Sequence, residues 1–190
     1  MQWNLATALT VLRILLIPVL VICFYAPIPW AHQVSAMIFL LAALTDWLDG
    51  WVARRFAQMS PFGAFLDPVA DKLMVGVTLV LIVQADPSPW LAVLAAIIIG
   101  REISISALRE WMAELGKRAH IAVAALGKLK TIVQMTALTM LLWQEPLFGL
   151  PIYSIGLGLL VVAAVLTLWS MAEYLRAAMR ALASLERDQA

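Results

Sequence analysis

The chain has 190 residues, of which 64% are hydrophobic and 13% charged, and its mean hydropathy is +0.93. Soluble domains are roughly half apolar and about a quarter charged, so a soluble composition, a disordered chain and a collagen-like chain are excluded. The formal net charge of +1 carries no nucleic-acid signal, and the single cysteine, Cys23, cannot form an intramolecular disulfide.

A membrane-crossing helix needs about 20 mostly apolar residues, because the hydrocarbon core is about 30 Å thick. Proline-rich or polar breaks at 27–33, 57–62, 84–89, 114–120 and 144–151 divide the chain into six apolar stretches, 5–26, 34–56, 63–83, 90–113, 120–143 and 152–178. The first stretch lacks a basic leader and contains Arg13, so it reads as a retained helix and not as a signal peptide. Arg54 and Arg55 flank the second break, Lys117 and Arg118 occupy the fourth, and Arg176, Arg180 and Arg187 lie at or beyond the end of the last stretch. The first, third and fifth breaks hold no Lys or Arg, only His32, Asp86 and Glu145. By the positive-inside rule this predicts an all-α polytopic protein of six transmembrane helices with both termini in the cytoplasm. Trp30, Trp90 and Trp143 then sit at the outer ends as an aromatic belt. The segment 181–190 is expected to be a frayed amphipathic end, and no repeat or soluble domain is discernible.

Depth within these helices is more informative than net charge. At roughly 1.5 Å per residue, Asp46 and Asp49 lie about 20 and 24 Å from the outer end, and Asp71 and Asp67 about 22 and 28 Å. By the same count Arg101 is about 16 Å deep, Arg109 about 28 Å, Lys130 and Lys128 about 20 and 22 Å, and Arg13 about 18 Å. A charge facing lipid at a helix centre costs roughly 2.5–3.5 kcal/mol, so such a set should instead line a polar cavity open to the cytoplasm.

Asp46 and Asp49 are spaced i, i+3, and Asp67 and Asp71 i, i+4, so each pair projects from one helix face. The short turn between the helices predicts antiparallel neighbours with the two pairs facing each other. Carboxylates crowded in a poorly solvated pocket need protons or cations to compensate them. Their hard oxygen atoms suit Mg2+ or Mn2+, and four carboxylates suffice for two divalent ions, which clamp phosphoryl oxygens during an in-line displacement. The alternative is ion pairing with Arg54, Lys72 or Arg101. Gly50, Ala53 and Gly63 allow close helix packing or close approach of a ligand.

The whole pattern, Asp46-x2-Asp49-Gly50-x2-Ala53-Arg54-x8-Gly63-x3-Asp67-x3-Asp71, resembles the signature of the CDP-alcohol phosphotransferase family at all of its fixed positions. The resemblance extends to Asn4-Leu-Ala-Thr7-Ala-Leu-Thr10-Val-Leu-Arg13, to Arg101-Glu102, to Ser106 through Lys117, and to Gly127-Lys128-Leu-Lys130-Thr131. These segments are similar to those of bacterial members that use glycerol 3-phosphate. The resemblance implies one domain over 1–190, with its signature at 46–71, and six helices around a cytosol-facing cavity. It implies a homodimer in the bacterial cytoplasmic (inner) membrane. Its substrates would be CDP-diacylglycerol and sn-glycerol 3-phosphate, and its products phosphatidylglycerol phosphate and CMP, as a step of phospholipid biosynthesis. Asp46, Asp49 and Asp67 match metal-ligand positions, and Asp71 matches both a ligand and the catalytic base. Asp49, Gly50, Ala53, Arg54 and Gly63 match the side that receives the cytidine diphosphate part.

The acceptor is a dianion and needs cations apart from the aspartates. Arg101, Arg109, Lys128 and Lys130 lie on consecutive helices at the required depth, and the fork of Arg109 suits a phosphate. The alternative for Arg101 is a pair with Glu102 or an aspartate. A divalent-cation transporter would carry polar groups through to the outer face, which this chain lacks.

Overall fold

The computed structural model of the chain describes residues 5–56, 61–114 and 124–189, and the side chains at 1–6, 47–62, 64, 115–128 and 181–190 lie outside the described residues. All regular structure among the described residues is helical: α1 Leu5–Phe24, α2 Ala31–Phe56, α3 Pro61–Ala85, α4 Pro89–Glu114, α5 Ala124–Trp143 and α6 Ile152–Gln189. Each sequence break falls between two of these helices. In lipid only α-helices and closed β-barrels satisfy every backbone hydrogen bond, and apolar stretches of about 20 residues are the length of a helix, twice that of a barrel strand. Three segments, Thr7–Phe24, Pro89–Glu114 and Ile152–Arg180, are long and apolar enough to cross a membrane, and Ala31–Asp46 and Leu129–Trp143 are shorter apolar helices.

One expectation is corrected at the C-terminus. The segment expected to fray continues α6 through Gln189. Its composition, Ala181-Leu-Ala-Ser-Leu-Glu-Arg, is rich in strong helix formers, and nothing there breaks the helix.

The helices pack in a closed ring in the spatial order α1, α2, α5, α6, α4, α3 and back to α1, with α3 also touching α5. The tightest contact is between α5 and α6. A Cβ on Gly156 would lie 2.8 Å from the Met140 Cβ and 3.2 Å from the Ala137 carbonyl oxygen, so only glycine permits this approach. The turn before α6 folds back on itself: Leu147 and Leu150 exchange backbone hydrogen bonds of 3.2 and 3.0 Å around Phe148 and Gly149, both at positive φ.

The interior is divided end to end. Leu20 and Phe24 of α1, Phe39 of α2, Leu79 and Ile82 of α3, Leu91 and Ile98 of α4, Leu138 and Leu142 of α5 and Leu160 of α6 form one apolar core. All of these belong to the half of the ring containing the turns at 25–30, 86–88 and 144–151. Tyr153 of α6 closes that end by donating to the Asp86 carboxylate beside the α3–α4 turn. Toward the other end buried polar side chains, Thr7, Thr10, Arg13, Arg101, Lys130, Gln134 and Thr167, join buried apolar ones such as Ile105 and Met112. The fold therefore seals one end with hydrocarbon and gathers its buried cations at the other.

Candidate active site

The charged end is organised by α1, and this departs from the expected α2–α3 pairing. Among the described residues α2 and α3 share no extensive contact, because both pack against α1. Thr10 and Arg13, spaced i, i+3, occupy one face of α1 and reach the two neighbours separately. Arg13 is 2% exposed and pairs through Nη1 with the Asp46 Oδ1 of α2 at 2.8 Å. The Thr10 hydroxyl donates to Asp67 Oδ1 of α3. Among the described residues the ion-pair partner of Asp46 is thus Arg13 and not Lys72 or Arg101, while the Arg54 side chain lies outside the described residues. A sequence signal existed in Arg13, a cation interrupting the first apolar stretch.

Asp71 stands one turn beyond Asp67, with Pro68 between them removing a backbone donor from α3. It is half-buried and lies within electrostatic range of Asp46, Glu102, Arg13 and Lys72. Gly63 is buried near the start of α3. Asp49, Gly50, Ala53 and Arg54 belong to the last turns of α2, and Lys128 to the first turns of α5, but their side chains lie outside the described residues. Among the described residues no three acidic, His or Cys side chains close on one point as a metal site. The donors that are described, Asp46, Asp67 and Asp71, are all carboxylate oxygens, the chemistry that a hard divalent cation prefers.

The cations form a second group on α4 and α5. Lys130 is 5% and Arg101 8% exposed. Both meet Glu102, with Lys130 Nζ 2.7 Å and Arg101 Nη1 3.2 Å from its Oε1. The alternative partner proposed for Arg101, Glu102, is the one found. Arg109 lies two turns further along α4, exposed, with its guanidinium 5.5 Å from the centre of the Tyr174 ring of α6. Neither Glu102 nor Tyr174 was marked as a site residue by sequence, because each contact depends on which helices adjoin. A groove of about 570 Å³ between α1, α3 and α4 ends against Lys72 and Glu102 and is otherwise lined by apolar side chains such as Val77 and Ile99.

Such a ring of apolar helices, with acidic and cationic groups converging at one end, is the architecture of a membrane protein whose charged site lies at one end of its helices. The chain belongs to the CDP-alcohol phosphatidyltransferase family, whose model matches residues 3–169 and so includes Arg13, Asp46, Asp67, Asp71, Arg101, Arg109 and Lys130. It is similar to the CDP-diacylglycerol–glycerol-3-phosphate 3-phosphatidyltransferase of Salmonella choleraesuis (strain SC-B67), 55% identical over 178 residues, which are 94% of this chain and 96% of that protein. Proteins of the same name from Shigella flexneri serotype 5b and Escherichia coli K12 are each 53% identical over the same shares of both chains.

Proposed function

We propose that the chain transfers the phosphatidyl group of CDP-diacylglycerol to the 1-hydroxyl of sn-glycerol 3-phosphate, giving phosphatidylglycerol phosphate and CMP. The observation that carries this reading is the gathering, at one end of the ring, of Asp46 of α2, held by Arg13, and Asp71 of α3 within electrostatic range of Glu102, which itself pairs with the buried Arg101 and Lys130 of α4 and α5. The names of the relatives agree with it over nearly the whole chain. In this reading the six helices all span the bacterial cytoplasmic membrane, N-in and C-in, as one domain over 1–190. The charged end opens to the cytoplasm, and the protein works as a homodimer.

Asp46, Asp49, Asp67 and Asp71 are the residues that would hold two divalent cations, Mg2+ or Mn2+, a dependence general in the family. When bound, these ions compensate the charge of the diphosphate and of the departing CMP. The remaining work falls to the chain itself. Gly50, Ala53 and Gly63 leave room for the cytidine diphosphate part, and Arg54 adds a positive charge beside it. Asp71 accepts the proton of the acceptor 1-hydroxyl as its oxygen attacks the phosphorus bearing diacylglycerol. The new P–O bond forms as the bond to CMP breaks, and general-base help of this kind contributes typically ~10²–10⁴ in rate. Arg101, Arg109, Lys128 and Lys130 receive the phosphate of the acceptor, and fixing the nucleophile in line lowers the barrier further. The sealed apolar end excludes water and gives the substrates one side of approach.

Purified protein incubated with CDP-diacylglycerol, glycerol 3-phosphate and Mg2+ should release CMP above a heat-killed control. No release contradicts the transfer reading. Release with inositol phosphate but not with glycerol 3-phosphate contradicts the choice of acceptor.

A further inference from the structure

Glu102 lies outside the aspartate signature and outside every set of residues assigned a role above. It sits on α4 between the two groups of charge. Its Oε1 accepts a hydrogen bond from Lys130 of α5 at 2.7 Å and lies 3.2 Å from Arg101 Nη1, and its carboxylate is within electrostatic range of Asp71. Both cations are almost fully buried, whereas Glu102 is half-buried and lines the groove beside Lys72.

Two adjacent buried cations repel each other, and each loses hydration that only a counter-charge can replace. A single carboxylate against two cations leaves one positive charge in excess, the sign that draws a phosphate dianion. It also leaves donors unspent. The buried Arg101 Nε has no hydrogen-bond partner among the described residues, and an ammonium offers three donors of which Lys130 gives one to Glu102. A buried donor left unmade is costly, and a phosphate oxygen would satisfy it.

We propose that Glu102 is a positioning residue for the acceptor phosphate: it holds Arg101 and Lys130 side by side at the edge of the Asp71 centre with donors to spare. The proposal rests on the transfer to glycerol 3-phosphate argued above. An ion cluster with only a structural role would change the amount of folded protein, and therefore the apparent kcat, but not the KM of one substrate.

The test compares full-length wild type, Glu102→Gln and Glu102→Asp in detergent, with KM measured separately for each substrate. Glu102→Gln should raise the KM for glycerol 3-phosphate about tenfold or more, the loss expected when a charge-assisted contact is misplaced, with the KM for CDP-diacylglycerol within about twofold of wild type. Glu102→Asp keeps the charge and should recover most of that loss. An unchanged or lower KM for glycerol 3-phosphate in Glu102→Gln, or a loss confined to kcat, overturns the proposal. Should Glu102→Gln fail to fold, Lys130→Met removes one of the two positioned cations and must raise the same KM, and an unmoved value overturns it equally. A wild type inactive with glycerol 3-phosphate contradicts the transfer reading, and this inference with it. An active wild type with unmoved variants contradicts this inference alone.

Discussion

Thr10 is fully buried on α1, and its hydroxyl donates to one oxygen of Asp67 on the neighbouring helix. Thr10→Val keeps the branched shape and removes that donor. A hydrogen bond to a charged group is worth about 1.5–3 kcal/mol, which at about 1.4 kcal/mol per factor of ten corresponds to roughly 10- to 100-fold. Asp67 is only half-buried, so water replaces part of the loss, and the lower figure, about tenfold, is expected. If Asp67 is a metal ligand, the loss falls on metal affinity, because a carboxylate released from its donor must be reoriented before it can coordinate. CMP release measured across a Mg2+ titration separates the effects. Thr10→Val should need about tenfold more Mg2+ for half-maximal rate, recover much of the rate at saturation, and be corrected by Thr10→Ser, which retains the hydroxyl. A Thr10→Val titration superimposable on wild type would refute the link between α1 and the carboxylate site.

Asp71→Asn should lower turnover by ~10²–10⁴ while the helical circular dichroism is unchanged, and substantial retained activity would remove Asp71 as the base. Arg109→Ala should raise the KM for glycerol 3-phosphate roughly tenfold with little change in kcat, whereas Tyr174→Phe, which keeps the ring beneath the guanidinium, should leave that KM unchanged. Gly156→Ala forces a carbon to 2.8 Å from the Met140 Cβ, and the strain of about 1–3 kcal/mol outweighs a gain in helix propensity of up to about 1 kcal/mol. Thermal unfolding in detergent should therefore occur at a lower temperature for Gly156→Ala, while Gly158→Ala, with open space around its Cβ, should not be destabilised.

The helices were legible in the sequence because a bilayer makes each one a local decision: length of apolar run, proline breaks and the sign of flanking charge. The division into a sealed end and a charged end was legible for the same reason, since depth along a helix is simple arithmetic. What adjoins what was not legible. These helices are apolar around most of their circumference, so periodicity marks no packing face, and the shortness of the α2–α3 turn suggests a pairing where, among the described residues, both helices pack instead against α1. Hence neither the Arg13–Asp46 pair nor the Thr10–Asp67 hydrogen bond could be read from spacing, although Arg13 is already conspicuous as a charge too deep for its helix. The Glu102 bridge was open only as one alternative for Arg101, and its link to Lys130 crosses between helices. Arg109 proved exposed against Tyr174, a contact that requires knowing that α4 lies beside α6.

Whether this one-ended site joins a phosphatidyl group to glycerol 3-phosphate is read by mass spectrometry of the lipids formed from CDP-diacylglycerol and isotopically labelled glycerol 3-phosphate. Labelled phosphatidylglycerol phosphate should form in equal amount to the CMP released. CMP without labelled lipid, or label entering lipid only from a different acceptor, would contradict this transfer.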